Sequence, residues 1–214
     1  MRTRIKFCGL VRAEDVDTAV ALGVDAIGFV FYPPSPRALG LDEALALRRL
    51  LPSFVSAVGL FVNELPDTVA ATASRVGLDV IQLHGDETPD QARGLSLACS
   101  LPWWKAIRMR QQTDLLSSAV DFKDAECLLL DSYSEAFGGS GKVFDWSWIP
   151  AGLPSRIILS GGLDSDSVAP AIQHVKPFAV DVSSGIQGHS PRHKDPALME
   201  RFIASVLSAD AGRT

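Results

Sequence analysis

The sequence predicts an α/β protein that folds as a single-domain (β/α)8, or TIM, barrel. Short apolar runs, rich in the aliphatic and β-branched residues of buried parallel strands, recur eight times at intervals of about 25 residues. Segments with helical spacing or a proline at their start lie between most of these runs. An open doubly wound sheet is the alternative, but such sheets more often have about five or six strands.

The predicted elements follow the chain in alternation. Strands are expected at 4–8, 25–31, 56–62, 79–84, 103–108, 126–131, 156–160 and 178–183. Helices are expected at 13–22, 42–51, 66–76, 89–98, 165–174 and 196–207. Asp42 is the expected N-cap of the second helix. Residues 109–125 predict only a short helix, and residues 145–149 little more than one turn.

Composition limits the class of protein. The chain has 214 residues, which fits one barrel, and 47% of them are hydrophobic, which is enough for a large core. We expect the barrel to occupy 1–208 and residues 209–214 to form a frayed tail. The net charge of −5 argues against a nucleic-acid partner, and no apolar run is long enough to predict a membrane span. Three cysteines without a CxxC pair predict neither a disulfide framework nor a zinc site, and they fit a cytoplasmic protein.

The stretch Lys6-Phe7-Cys8-Gly9 places a thiol at the carboxyl end of the first predicted strand. Chemistry in parallel α/β folds is usually done at that end, so Cys8 is a candidate base or nucleophile. The alternative is that Cys8 packs as a small hydrophobic residue. Lys6 shares its face of the strand, and a buried lysine needs a partner, so we predict an ion pair with Asp181 of the last strand.

Three further polar residues stand at or just beyond predicted strand ends. Asp131 ends a buried strand, where poor solvation favours the protonated acid that can donate a proton; the alternative is a carboxylate that braces a loop. Arg37, on a proline-stiffened loop, is suited to binding a carboxylate, although most arginines are surface residues. His84 either binds a ligand or braces a turn. No second ligand stands at metal-binding spacing, so no metal is predicted.

Two glycine-containing turns follow the last two predicted strands. Ser160-Gly161-Gly162 and Ser183-Ser184-Gly185 stand where barrels often bind phosphate through backbone N–H groups. We therefore predict a phosphate site there. The loop Phe137-Gly138-Gly139-Ser140-Gly141-Lys142 lacks the GxxxxGK[ST] spacing of a P-loop and is predicted to fold over a ligand.

Together these motifs resemble the phosphoribosylanthranilate isomerase family of tryptophan biosynthesis, over almost the whole chain and in the same order. The matching segments are Lys6-Phe7-Cys8-Gly9, Gly28-Phe29-Val30-Phe31 with Ser35-Pro36-Arg37, Gly59-Leu60-Phe61-Val62-Asn63, Gln82-Leu83-His84-Gly85, Leu130-Asp131-Ser132, Gly138-Gly139-Ser140-Gly141 with Phe144-Asp145-Trp146, Ser160-Gly161-Gly162-Leu163 and Asp181-Val182-Ser183-Ser184-Gly185.

The resemblance implies a cofactor-free Amadori rearrangement that turns the aminoaldose phosphoribosylanthranilate into an aminoketose. It implies that Asp131 is the general acid, that Cys8 is the general base and that Arg37 holds the anthranilate carboxylate. Other substrate contacts would come from His84 and, for the phosphate, from Gly161, Gly162, Ser184 and Gly185. The thiol must be activated, and the candidates for activating it are Lys6 and the positive charge of the substrate's iminium.

The last loop departs from the family pattern, with Gln187 in place of an acid and Arg192 in place of a glycine, so the family pattern does not predict the conformation of this loop. Indole-3-glycerol phosphate synthase, with Lys105 as its catalytic lysine, is the rival enzyme. A non-catalytic phosphosugar-binding barrel is the rival outside enzymes. A second aminoaldose substrate, and the choice between a monomer and a homodimer, stay open.

Overall fold

The barrel is confirmed by a computed structural model, which describes residues 2–133 and 143–212. Eight parallel strands close into one sheet in chain order, with β8 paired to β1. The strands are β1 Arg4–Cys8, β2 Ala26–Val30, β3 Ser56–Phe61, β4 Val80–Leu83, β5 Trp103–Met109, β6 Cys127–Ser132, β7 Arg156–Leu159 and β8 Ala179–Val182. The glycine-rich loop at residues 137–142, which is predicted to fold over a ligand, lies outside the described residues.

Seven α-helices lie in the described residues and surround the barrel. They are α1 Ala13–Ala21, α2 Leu41–Arg48, α3 Pro66–Val76, α4 Pro89–Cys99, α5 Gln112–Asp121, α6 Val168–Val175 and α7 Pro196–Ala211. Short 3₁₀ turns cover Trp146–Trp148 and Ser184–Ile186. None of these helices combines the length and the apolar character that crossing a membrane requires.

Three helix starts differ from the prediction for local reasons. The N-cap of α2 is Gly40 and not Asp42, because the Glu43 carboxylate accepts the Gly40 N–H at 2.8 Å. Residues 109–125 contain a ten-residue helix, which Asp114 starts by accepting two backbone N–H groups. The start of α6 moves to Val168 because the Asp164 carboxylate accepts the N–H of Ser167 in a preceding turn.

The prediction that the chain frays from residue 209 is wrong for 209–211, because α7 continues to Ala211. Ala209 is buried, and the Asp210 carboxylate accepts the backbone N–H of Thr3 at 2.5 Å and its hydroxyl at 2.7 Å. The end of the last helix is therefore fastened to the start of the first strand.

Strand alternation divides the buried residues between two regions. In β1, Ile5 and Phe7 belong to the apolar layer between the sheet and the helices. Lys6 and Cys8 have the opposite parity, and Cys8 packs with Val30 and Leu60 in a separate cluster. The polar side chains of the candidate site therefore lie on the barrel side of the sheet.

Candidate active site

The candidate acid and base meet at one rim of the barrel. Cys8 is the last residue of β1, Asp131 is the second-last residue of β6, and His84 follows β4 directly. Cys8 is 6% exposed, and His84 and Asp131 are each 7% exposed. Because all strands of a closed parallel barrel end at the same face, the fold brings these groups to the face where barrel enzymes place their catalytic residues.

Lys6 links the thiol to the last strand. Its Nζ donates to Oδ1 of Asp181 at 2.7 Å, and both side chains are buried, so the predicted ion pair is confirmed. A Cβ added at Gly28 would lie 2.7 Å from Sγ of Cys8 and 3.1 Å from Nζ of Lys6. The glycine on the neighbouring strand therefore leaves the space in which the thiol and the ammonium group sit side by side.

Burial and charge act in opposite directions on this thiol. Burial raises the pKa of Cys8 above its ordinary value, and the charge of Lys6 lowers it by less. Burial is the largest influence on Lys6 and acts to lower its pKa, but the interactions with Asp181 and Cys8 together outweigh burial and raise that pKa, which keeps the ammonium group charged. Of the two activators considered above, Lys6 is therefore insufficient by itself in the free protein.

The carboxyl group of Asp131 is held through both of its oxygens. Oδ1 accepts the backbone N–H of Ser132 at 2.9 Å, and Oδ2 lies 3.2 Å from Nε2 of His84. The amide nitrogen of Gln82 donates to Nδ1 of His84 at 2.9 Å, so the imidazole proton is on Nε2 and points to Asp131. Both ring nitrogens are thus engaged by the protein. His84 therefore braces Asp131, and its contact with the substrate stays a prediction.

A buried ion pair between Glu87 and Lys105 holds the tight turn that follows β4, and with it the position of His84. The Glu87 carboxylate accepts the N–H of Gly85 at 3.0 Å and Nζ of Lys105 at 2.8 Å. Lys105 also donates to the Gly85 carbonyl at 2.7 Å. Lys105 is therefore a structural partner of this turn and not a free catalytic lysine. Sequence reasoning missed this role of Glu87. The one feature that could have indicated it is the position of an acidic residue three residues after His84.

Arg37 lies against the strand end that carries the thiol. Two features favour glycine at position 9. A Cβ there would lie 2.5 Å from Cδ of Arg37, and the backbone has a φ of +72°, which other residues rarely adopt. The arginine is half-buried, and its Nη2 donates to Oε1 of Gln187 at 2.6 Å. Its guanidinium group is therefore held at the rim by a hydrogen bond and does not extend freely into solvent.

The two glycine turns pack closely together and against the acid. Gly161 has a φ of +79°, and a Cβ there would lie 2.4 Å from the Ser132 backbone nitrogen. A Cβ at Gly185 would lie 2.0 Å from the Leu163 carbonyl oxygen, so this turn sits directly on the loop that follows Gly162. Only glycine permits these approaches, and the turns after β7 and β8 form one continuous surface beside Asp131.

Lys194 lies under the second of these turns, and sequence reasoning gave it no role. Its buried Nζ donates to the Ser183 carbonyl at 2.7 Å, and the Ser183 hydroxyl donates to the Cys8 carbonyl at 3.0 Å. Burial, together with the positive charge of Arg37, lowers the pKa of Lys194 to about 7. At neutral pH the Lys194 amine is therefore close to its own pKa, and a nearby anionic ligand would favour its charged form.

Comparison with known proteins agrees with this geometry. The family model for N-(5'-phosphoribosyl)anthranilate (PRA) isomerase matches residues 5–205. The chain is 49% identical to the N-(5'-phosphoribosyl)anthranilate isomerase of Methylibium petroleiphilum, over 99% of this chain and 97% of that protein. It is 50% identical to the same enzyme of Dechloromonas aromatica, over 98% and 99% of the two chains.

Solved structures give the same result. The phosphoribosyl anthranilate isomerase of Thermotoga maritima superposes with a TM-score of 0.87 at 39% identity, covering 96% of this chain and 99% of that one. A phosphoribosyl anthranilate isomerase in complex with reduced 1-(o-carboxyphenylamino)-1-deoxyribulose 5-phosphate superposes with a TM-score of 0.84 at 36% identity, with the same coverage. The chain belongs to the phosphoribosylanthranilate isomerase family, enzymes of tryptophan biosynthesis that isomerise an aldose to a ketose.

Proposed function

We propose that Asp131 is the general acid and Cys8 the general base of the Amadori rearrangement of phosphoribosylanthranilate. The observation that carries this assignment is the placement of a thiol and a carboxyl group at the ends of β1 and β6, on the rim that also carries the two glycine turns. The product is 1-(2-carboxyphenylamino)-1-deoxyribulose 5-phosphate.

Asp131 acts in the first step. It protonates the ring oxygen of the furanose, the bond between that oxygen and C1′ breaks, and the nitrogen lone pair forms a protonated imine at C1′. The carboxylate that remains keeps its bonds from Ser132 and His84. Because both are donors, they stabilise the negative charge that develops on the acid as its proton leaves.

Cys8 acts in the second step as a thiolate. It removes the proton from C2′, and the electron pair of that C–H bond moves into the C1′–C2′ bond and neutralises the iminium, giving an enolamine. The enolamine then tautomerises to the ketone. Because burial raises the pKa of Cys8 in the free protein, the positive charge of the iminium is the activator that we assign to this step.

The rest of the site binds the two anionic ends of the substrate. Arg37 holds the anthranilate carboxylate, for which a guanidinium group provides two parallel donors. The backbone of Gly161, Gly162, Ser184 and Gly185 holds the phosphate, because glycine lets an anion approach the amide groups closely. The substrate then spans the rim from the β2 loop to the β7 and β8 turns.

The assignment of acid and base is tested by complementation of a tryptophan auxotroph that lacks this isomerase, together with kinetics of the purified variants. We expect Cys8→Ser and Asp131→Asn to abolish growth and to lower kcat by about 10²–10⁴-fold, because each removes one proton transfer. The wild-type chain is expected to restore growth. Growth of both variants at the wild-type rate would overturn the assignment.

The setting that we propose for this enzyme is the cytoplasm, with a small-molecule substrate and no nucleic-acid or membrane partner. The three free cysteines and the net charge of −5 support that setting. Its assembly is proposed to be a monomer or a homodimer. One structural neighbour, from Thermotoga maritima, is described as a dimeric isomerase from which monomers were generated.

A further inference from the structure

Two side chains from the loop between β8 and α7 converge on the loop that carries Arg37. Oε1 of Gln187 accepts a hydrogen bond from Nη2 of Arg37 at 2.6 Å. Nη1 of Arg192 donates to the carbonyl oxygens of Pro36 at 3.3 Å and Ala38 at 3.2 Å, the residues on either side of Arg37. One contact holds the guanidinium group and the others hold the backbone from which it extends.

The loop that supplies these contacts is itself a closed hairpin. Gln187 and Lys194 pair as an antiparallel bridge, and the N–H of Gly188 donates to the His193 carbonyl at 2.8 Å. The N–H of Asp195 donates to the Ile186 carbonyl at 3.0 Å at the base of the hairpin. Gln187 and Arg192 are therefore presented from a fixed backbone, as residues that orient another side chain need to be.

The partner of Arg37 carries no charge. An amide oxygen accepts a hydrogen bond from a guanidinium group without neutralising it, whereas a carboxylate in the same place would form an ion pair and compete with an anionic ligand. Nε of Arg37 is buried and has no hydrogen-bond partner among the described residues. The guanidinium thus keeps both its charge and donor capacity.

We propose that Gln187 and Arg192 are positioning residues that pre-organise Arg37 for an aryl carboxylate, and that the neutrality of Gln187 reserves the charge of Arg37 for that carboxylate. The inference rests on the proposed contact between Arg37 and the anthranilate group. These two residues stand where the family pattern has an acid and a glycine, so in this chain they strengthen a preference for a substrate with an aryl carboxylate that Arg37 itself provides.

The test uses two ligands and calorimetric titration of the purified protein. One ligand is reduced 1-(o-carboxyphenylamino)-1-deoxyribulose 5-phosphate, and the other is the same molecule without its carboxyl group. Gln187→Glu is expected to weaken binding of the first ligand by about tenfold, because the new carboxylate pairs with Arg37, and to leave the second unchanged. Gln187→Met, which removes the hydrogen bond without adding charge, is expected to have a smaller effect on the first ligand.

Arg37→Ala separates the failure of this inference from the failure of the contact on which it rests. If Arg37→Ala weakens only the carboxylated ligand and Gln187→Glu does not, the role of Gln187 is overturned while the contact stands. If Arg37→Ala affects both ligands equally, or neither, the contact itself is wrong and the inference falls with it. Unchanged affinity for the ligand without a carboxyl group also shows that each variant is folded.

Arg192→Ala tests the backbone contacts. We expect KM for phosphoribosylanthranilate to rise several-fold with kcat unchanged, because a displaced Arg37 weakens the ground state and the transition state alike. Arg192→Lys, which keeps one positive donor near the two carbonyl groups, is expected to restore part of the affinity. A fall in kcat at constant KM, or an equal loss for both ligands, would show general loosening of the rim and contradict a role in carboxylate selection.

Discussion

Cys8 occupies a site that favours its neutral thiol until substrate binds. It is 6% exposed, and the ammonium group that shares its space is already committed to Asp181. In the proposed mechanism, this arrangement keeps the thiol neutral in the free protein, and the positive iminium of the substrate promotes its ionisation. It also limits oxidation of the thiol, which depends on thiolate character and exposure.

The first prediction concerns this ionisation. The difference in thiolate absorbance at 240 nm between the wild-type protein and Cys8→Ser should titrate above pH 9, because burial raises the pKa of Cys8 from that ordinary value. The Cys8→Ser reference removes the signals of Cys99 and Cys127. A thiolate transition below pH 9 would mean that the charge of Lys6 outweighs burial.

At the scale of the element, the turn after β4 is held by groups from β5 and from the loops that follow β3 and β4. Glu87 accepts the N–H of Asn63, beyond β3, at 2.9 Å, the N–H of Gly85 and the Lys105 ammonium group of β5. Glu87 and Lys105 are both buried, and neither is among the residues proposed to contact the substrate. Their effect on the reaction passes through His84, whose ring braces the acid.

The second prediction follows from that arrangement. Glu87→Gln should lower kcat on the order of tenfold with little change in KM, because His84 and Asp131 lose their fixed orientation while the binding groups stay in place. Kinetics of the purified variant measure it. Arg75→Ala, which breaks an exposed ion pair with Asp42 at 2.9 Å, is the control and should leave both constants unchanged. Loss of substrate affinity alone in Glu87→Gln would contradict the positioning role.

For the molecule as a whole, the pair between Lys6 and Asp181 joins the first and the last strand. These residues are directly opposite each other in the parallel pairing of β1 with β8, the contact that closes the barrel. Ser160, after β7, donates from its hydroxyl to the other Asp181 oxygen at 3.3 Å. Asp181 of β8 thus connects Lys6 of β1 with Ser160, which follows β7.

The third prediction is a double-mutant cycle on this pair, followed by urea denaturation. Lys6→Met should lower the free energy of unfolding by about 3–5 kcal/mol, because it leaves the Asp181 carboxylate buried without its partner. Asp181→Asn in the same chain should recover part of that loss, because it removes the stranded charge. Additive effects of the two changes would exclude a coupled pair.

The fourth prediction concerns the ends of the chain. Ending the protein after Ser208 should lower Tm by about 5 °C, because it removes Asp210, whose carboxylate accepts two hydrogen bonds from Thr3. Ending it after Gly212 keeps this contact and should leave Tm unchanged. Differential scanning calorimetry of the two truncations distinguishes them. Equal Tm values would mean that the last turn of α7 contributes nothing to stability.

The sequence by itself determined the order of the elements and most of their bounds. It predicted β1 and α3 at the residues where they occur, and it identified the strand ends that carry Cys8 and Asp131. This information is local: hydrophobic periodicity, proline and glycine act within a few residues, and the closed parallel sheet brings strand ends to one face. The irregular pattern of 109–125 predicted only a short helix, whereas the structure has ten helical residues whose start depends on the side chain of Asp114.

Only the tertiary structure decided how the site is supported. Glu87 meets Lys105 from 18 residues away, and Gln187 meets Arg37 from 150 residues away. His84 acquired its role in the same way, because its ring reaches Asp131 across the barrel, 47 residues along the chain. A residue's type and its neighbours in sequence fix which bonds it can form. Its partners are set by the closed sheet, because a charge or donor buried at the rim is costly unless the fold places a partner beside it.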